Sequence, residues 1–271
     1  MSSSWLVLGC ALAGSGAWSC GVNELQTFET GPASAPTAVK ASLPTGTCSR
    51  VEPESDTVSL FSFEDFAAGA VRDEMGHAAL GNVIGSAVAK VQGPGGCGQA
   101  LAFGAENSDS YLTVPNTPLW DLSEGSLDFW LRPEACLPDW HLGQGIVGRD
   151  ASFQELPGQM RMLIKGGCKL EVRVQGGGAE QCLLLHPDSL PLGVWTHVGL
   201  NFGGGSFDLE INGTSVYCSG NWSLAGNANR LIIGGNPEWS SEINTLPIQF
   251  TAQSVAIDEV RISSARRTHW Y

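Results

Sequence analysis

Positive charge is scarce in this chain. Only 14 of its 271 residues are Lys or Arg, against 27 Asp or Glu, for a formal net charge of −13. Proteins that hold nucleic acid or anionic lipid need clustered cations, and no basic run is present, so neither partner is expected. The longest apolar stretch, within MSSSWLVLGCALAGSGAWSC at the start, is too short to span a bilayer as a stable helix. Also missing are Cys-x-x-Cys pairs, a His-Glu-x-x-His zinc helix, a Gly-x-Ser-x-Gly elbow and a phosphate loop. No repeat of fixed period occurs, which disfavours a propeller or a solenoid. Long helices are not expected either.

The chain is rich in glycine, with 35 residues, and in tryptophan, with nine, and 42% of it is hydrophobic. Short twisted strands, tight turns and an aromatic-filled space between sheets use such a composition. The decisive pattern is alternation. In SLDFWLRP (126–133), Leu127, Phe129 and Leu131 fall on one side and Asp128 and Arg132 on the other, the period of a half-buried strand. In SFDLEING (206–213), Phe207, Leu209 and Ile211 oppose Asp208 and Glu210 before an Asn212-Gly213 hairpin turn. GVWTHVGLNF (193–202) and AIDEVRIS (256–263) read the same way.

Further strands are expected at VSLFSFED (58–65), QALAF (99–103), YLTVP (111–115), GQGIVGR (143–149), QMRMLIK (159–165), KLEVRVQ (169–175), QCLLLH (181–186) and RLIIGG (230–235). AAGAVRDEMGH (67–77) reads as a turn-rich loop, and Gly166-Gly167 and Gly176-Gly177-Gly178 mark hairpins. The expected fold class is all-β, a two-sheet antiparallel sandwich. It is closed by pairing the segment near Ser59 with the one near Val260.

The first twenty residues read as a secretory signal. Ala17-Trp18-Ser19-Cys20 resembles a bacterial lipobox, which would make Cys20 the lipidated N-terminus of an outer-membrane or cell-surface lipoprotein. Ala17-x-Ser19 would equally serve ordinary signal peptidase, leaving plain secretion as the alternative. The signal lacks the usual basic residue, and Ala17 stands at the third place upstream of Cys20, where a lipobox prefers Leu. A segment rich in Pro, Ala, Ser and Thr follows; about 28 flexible residues give an r.m.s. reach of roughly 30 Å.

Seven motifs, in order, carry a family resemblance. They are Phe63-Glu64 with the loop Asp73 to Gly76, Gly98-Gln99-Ala100-Leu101-Ala102-Phe103, Tyr111-Leu112-Thr113-Val114-Pro115, and Phe129-Trp130-Leu131-Arg132-Pro133. Trp195-Thr196-His197-Val198, Leu209-Glu210-Ile211-Asn212-Gly213 and Ile257-Asp258-Glu259-Val260-Arg261-Ile262 complete the set. The chain resembles the laminin G-like jelly rolls of the concanavalin A-like lectin and glucanase superfamily. The chain then divides into a signal peptide (1–19), a lipid-anchored flexible linker (20–57), the jelly-roll domain (58–264) and a tail (265–271).

The resemblance implies a module that binds carbohydrate or protein, with a structural calcium as the one expected cofactor. It places the ion at Asp73, a carbonyl near Gly76, and Asp258, all oxygen donors as a hard cation requires. The plainer alternative is that Asp73 starts a turn and Asp258 pairs with Arg261 or Arg72. Glu106, Asn107 and Asp109 form a second oxygen-rich loop. Departures from the family pattern include Gly104 and Thr196.

No catalytic residue is expected. Retaining glycosidases of this superfamily use acids spaced along one strand, in patterns such as Glu-x-Asp-x-x-Glu, and only Asp208-x-Glu210 comes near, without a third carboxylate. His197 reads as a packed, hydrogen-bonded residue.

Of eight cysteines, Cys10 leaves with the signal and Cys20 is lipidated, so six remain: Cys48, Cys97, Cys136, Cys168, Cys182 and Cys218. Three disulfides in an oxidising compartment are expected, although six cysteines allow fifteen pairings. The pairs guessed are Cys168 with Cys182 across one hairpin, Cys48 with Cys97, and Cys136 with Cys218. Trp140, Trp222 and Trp239 lie in expected loops and are the candidate stacking platforms for a sugar ring, while Trp130 and Trp195 read as core. Asn212-Gly213-Thr214 and Asn221-Trp222-Ser223 are glycosylation sequons by pattern. The expected function is a non-catalytic recognition module at the cell surface; a structural or adhesive envelope protein is the alternative, and a glycoside hydrolase trails both.

Overall fold

The computed structural model describes residues 50–104, 110–136, 143–149, 157–175, 181–236, 250–251 and 254–268, together with the backbone of an N-terminal hairpin. That hairpin pairs β1 (Gly9–Ala13) with β2 (Ala17–Gly21) inside a unit of residues 1–40. The second unit, residues 41–271, holds the sandwich. Its strands are β3 (Thr57–Phe61), β4 (Ala70–Val71), β5 (Gly81–Ile84), β6 (Val88–Gln92), β7 (Gln99–Phe103), β8 (Tyr111–Val114) and β9 (Gly125–Pro133). Next come β10 (Gln144–Arg149), β11 (Gln159–Lys165), β12 (Lys169–Gln175), β13 (Gln181–Ser189), β14 (Thr196–Phe202), β15 (Ser206–Ile211) and β16 (Thr214–Ser219). The last are β17 (Leu231–Ile233), the short pair β18 (Gly235–Asn236) and β19 (Phe250–Thr251), and β20 (Val255–Ser263).

Two eight-stranded antiparallel sheets result. The first, here the meander sheet, runs β13-β12-β11-β10-β17-β8-β5-β4. The second, the closing sheet, runs β16-β15-β14-β9-β20-β7-β6, with β3 also on β20. The expected pairing of first and last segments is present, with Phe61 opposite Val260 and Ser59 opposite Ile262. β20 uses one edge twice: Val255 to Ile257 pair with β7, and Val260 to Ser263 pair with β3. Between these stretches lie Asp258 and Glu259, at a register shift against β9. Glu259 has φ of 50°, the left-handed region that a side chain adopts at a cost.

Alternation assigns the faces as read from the sequence. Leu127, Phe129 and Leu131 of β9 join Val198 and Leu200 of β14 and Met160, Met162 and Val172 of the meander sheet in one buried cluster. The alternate residues of β9 are also buried: Asp128 is 0% exposed. The polypeptide before β3 covers them, with Val51 donating its N–H to Glu259 and Glu54 reaching Arg261. At the other end of the chain Arg266 and Arg267 hold Asp208 and Asp56. Residues 50–56 and 265–267, assigned from sequence to linker and tail, are therefore packed on the domain.

The disulfides differ from the pairs guessed. Cys136 is bonded to Cys168 and Cys182 to Cys218. Cys168 sits in the turn before β12, whereas Cys182 is in register with Val174 near the far end of that strand. The six residues between put them about 20 Å apart, too far for a bridge. Both observed bridges instead tie a meander-sheet strand or turn to a strand or strand end of the closing sheet. Cys97 is disulfide-bonded as well; its guessed partner Cys48 lies outside the described residues.

Candidate functional site

At one end of the sandwich three segments meet around an open cleft of about 450 Å³, lined by Ser123, Glu124, Gly203, Gly204, Asn221 and Ser223. Its walls are the segment entering β9, the turn between β14 and β15, and the segment after β16. Gly203 makes the close approach possible: it has φ of +79°, and a Cβ there would stand 2.5 Å from the Ser123 carbonyl oxygen and 2.6 Å from Glu124 Cα. Its N–H donates to the Trp222 carbonyl at 2.7 Å. Arg266 fixes the turn from below, donating to the carbonyls of Gly203 and Ser206 and to Asp208.

A buried cation braces the opposite walls. Arg149, 0% exposed, donates to the carbonyls of Trp120 (3.3 Å), Leu224 (3.2 Å) and Asn227 (2.6 Å) and to Asn116 Oδ1 (2.8 Å). Its guanidinium also lies 5.6 Å from the Trp120 ring centre. Burial lowers its pKa to about 10, with Asp121 working the other way. Trp120 and Leu224 flank the cleft-lining residues, so one side chain sets the distance between the two walls. The cleft thus presents a carboxylate, an amide, two hydroxyls and backbone groups from a braced frame. Such a set of donors and acceptors matches a polyol better than an apolar ligand. The sequence marks Asn221 and Ser223 only as a sequon and points neither to this cleft nor to Arg149, since the lining residues come from three distant loops.

A second polar group lies on the outward face of the closing sheet. Arg261 donates to both oxygens of Asp128 at 3.0 Å, and His197 Nε2 is 3.2 Å from Asp128 Oδ2. Burial works to raise the Asp128 pKa, but the hydrogen bonds from His197 and Arg261 outweigh it and hold the carboxyl below its usual range. His197 also meets Trp130 edge-on, ring centres 5.2 Å apart. It is a packed residue, as expected, hydrogen-bonded to the buried Asp128 that Arg261 holds.

The residues to which the resemblance assigned calcium fall into two neighbourhoods. Asp73 is a turn organiser: its carboxylate accepts from Ser59 Oγ and from the N–H groups of Leu60, Met75, His77 and Ala78. Gly76 donates its N–H to the Asp73 carbonyl. Asp258 instead faces the β6–β7 connection. A Cβ on Gly93 would stand 2.3 Å from the Cys97 carbonyl oxygen and 2.6 Å from Asp258 Oδ2, and one on Gly98 would collide with Glu64 Oε1. Burial pushes Asp258 up to about 9, reinforced by Glu259 and, more weakly, Glu64. Burial likewise pushes Glu259 up to about 7, and its Oε2 has no hydrogen-bond partner. Asp258, Glu64 and the Cys97 carbonyl are hard oxygen donors, the kind a divalent cation takes. Among the described residues no group of three or more His, Cys, Asp or Glu is arranged to hold a metal, so backbone carbonyls would have to complete the shell. Asp258 does not pair with Arg261 or Arg72; those arginines go to Asp128 and Asp65.

Of the three candidate stacking tryptophans, Trp222 is 6% exposed and belongs to the core cluster beneath the cleft. Its indole therefore offers no platform. Trp140 and Trp239, Glu106, Asn107 and Asp109, and the side chain of Cys20 lie outside the described residues. Trp195 is half-buried with Arg132 stacked 4.9 Å from its ring centre.

The family model of the concanavalin A-like lectin/glucanases superfamily that is named for laminin G matches residues 106–269. Among curated proteins none matches the sequence significantly. Solved structures with the same fold include domain 4 of an extracellular arabinanase from Geobacillus stearothermophilus, in complex with arabinotriose. The two are 18% identical with a TM-score of 0.56, over 79% of this chain and 94% of that one. A Trypanosoma rangeli sialidase in complex with 2,3-difluorosialic acid matches with 16% identity and a TM-score of 0.56, over 87% of this chain. The botulinum neurotoxin serotype D binding domain matches with 16% identity and a TM-score of 0.54, over 79%. This chain spans 34% of the sialidase and 48% of the toxin domain, but nearly all of the arabinanase domain.

Proposed function

From the premise that this chain belongs to the concanavalin A-like lectin/glucanases superfamily, we propose that it is a non-catalytic, extracytoplasmic module that binds a glycan in the Glu124–Asn221 cleft. The observation that carries the reading is the cleft itself, a braced polar concavity at the loop end of a rigid sandwich. The arabinanase domain of matching size, with arabinotriose bound, supports the choice of ligand class. Disulfides between the sheets support an oxidising location. The lipid anchor at Cys20 rests on the sequence.

Glu124 and Asn221 would accept from and donate to sugar hydroxyls, with Ser123 and Ser223 completing the frame. Glu124 is the one carboxylate among the residues that line the cleft, whereas glycosidases use a pair, and the buried Asp128, Asp258 and Glu259 are 0%, 2% and 6% exposed. Calcium, when bound, would be held by Asp258, Glu64 and the Cys97 carbonyl and would cross-link β20 to the β6–β7 connection.

A glycan array of the purified protein, carrying arabinan oligosaccharides and sialylated glycans beside neutral hexoses, tests the proposal. Selective binding is expected, with Glu124→Gln and Asn221→Ala each weakening it roughly tenfold. An array without signal, joined to recovery of a crosslinked protein partner, would favour the adhesive alternative. That alternative draws on Leu192, Val194 and Tyr217, at 54%, 50% and 56% exposure. For the metal, EDTA should lower Tm and Asp258→Asn should abolish the response; an unchanged Tm in the wild-type protein removes calcium from the account.

A further inference from the structure

Two arginines stand beside the Glu124–Asn221 cleft, and the fold has committed both. Arg149 is 0% exposed, and each of its three guanidinium nitrogens donates to oxygens of the surrounding loops: Nε to Asn229, Nη1 to Trp120 and Leu224, Nη2 to Asn116 and Asn227. Arg266 donates to the Gly203 carbonyl, to Ser206 and to the Asp208 carboxylate. Neither donor set is open to a ligand. No lysine or arginine is among the residues that line the cleft.

Glu124 is in the opposite state. It is exposed in the cleft wall and forms no ion pair among the described residues. The facing turn keeps it uncovered: Gly204 has φ of +61°, and a Cβ there would stand 3.0 Å from Glu124 Oε2 and 3.4 Å from Arg266 Cδ. A side chain at this position would lie against the carboxylate. Asn221, Ser123 and Ser223 are neutral hydrogen-bonding groups, and the Gly203 N–H and carbonyl are already bonded, the one to Trp222 and the other to Ser206 and Arg266. The cleft therefore offers a ligand one formal charge, and it is negative.

We propose, resting on the glycan reading of this cleft, that Glu124 sets its charge selectivity: neutral sugars enter, sugars that carry an amine are preferred, and sugars that carry a carboxylate are turned away. A hydroxyl donating to Glu124 already makes a hydrogen bond to a charged acceptor. An ammonium group in its place adds the attraction of two full charges. A sugar carboxylate meets repulsion instead, and with no open guanidinium or ammonium opposite it, gives up hydration without gaining a partner. The net charge of −13 works in the same direction but at long range, whereas Glu124 acts at contact. Because the cleft is open to water, the discrimination is of the order of tenfold and is screened by salt.

Proton NMR titrations of the purified protein with matched probes test this. Cellotriose against a chitosan trimer compares neutral with amino sugar, at mildly acidic pH where the sugar amine holds a proton; lactose against sialyllactose compares neutral with acidic. At low salt the chitosan trimer should bind roughly tenfold more tightly than cellotriose, and lactose roughly tenfold more tightly than sialyllactose. Glu124→Gln should bring both ratios close to one, and Glu124→Lys should invert them. Glu124 is exposed on a loop, so both variants should keep the wild-type urea midpoint. Glu134→Gln, beyond the other end of β9 and about 30 Å away, changes the net charge as much as Glu124→Gln does and should leave the ratios as they were. A chitosan trimer that binds no better than cellotriose, sialyllactose that binds as tightly as lactose, or ratios that Glu134→Gln moves as far as Glu124→Gln would overturn the charge selectivity and leave the glycan cleft standing. Failure of all four probes to bind at millimolar concentration would remove the glycan reading, and the selectivity with it.

Discussion

Asp128 sits on the polar side of an alternating strand, where a reading of sequence alone expects water. It is buried because Val51, Glu54 and the Arg267 region lie across that face, and contacts more than 130 residues apart in sequence, such as Arg261 to Asp128, leave no local signature. Removing one partner of such a pair strands the other charge. Asp128→Asn should lower the unfolding free energy by about 3–5 kcal/mol, measured by urea denaturation, while Asp208→Asn at the partly exposed Arg266 pair should cost under about 1 kcal/mol. Equal losses at the two sites would contradict the assignment of Asp128 to a buried pair.

Asp258 and Glu259 set an opposite pH dependence. Each binds a proton in the folded state over a range where the unfolded chain has released it, so their contribution is full below about pH 4 and is lost as pH rises toward about 7 for Glu259 and about 9 for Asp258. Asp128, held below its usual range, contributes above about pH 4 and loses that contribution in stronger acid. In EDTA, Tm should therefore decline between pH 5 and pH 9, and Glu259→Gln should flatten the first part of that decline. A Tm that rises across this interval would show that the two carboxyls are not protonated in the folded protein.

At the scale of elements, legibility followed burial. β7, β11, β12 and β20 coincide with their expected spans because one face of each packs on the core and imposes period two. β4, β5, β6 and β16 were not anticipated. They lie at or next to sheet edges and bury little, with β6 and β16 having no fully buried residue, so alternation had nothing to record. Disulfide connectivity was equally hidden, since it depends on which sheet each strand joins. The bridge from Cys182 to Cys218 clasps the outer strands β13 and β16 of the two sheets. Replacing both cysteines by serine should lower stability by about 3–4 kcal/mol in the chain-entropy model without changing the β-sheet circular dichroism at room temperature. A loss of native signal at room temperature would mean that the clasp is needed for the sheets to assemble at all.

For the whole molecule, the sandwich and the joining of its first and last strands were readable from ordered motifs, whereas the cleft was not. Ser123 and Gly203 are unremarkable loop residues in sequence and Asn221 stands out only as part of a sequon; sheet topology brings the three together and Arg149 spaces them. Function therefore depends on geometry that composition cannot encode. The most direct test is a proton NMR titration of the protein with the best oligosaccharide from the array, followed through prolonged incubation. Saturable broadening of the sugar signals with the oligosaccharide recovered intact is the predicted result; new reducing-end resonances, or no perturbation by any array-selected sugar, would contradict a glycan-holding, non-catalytic cleft.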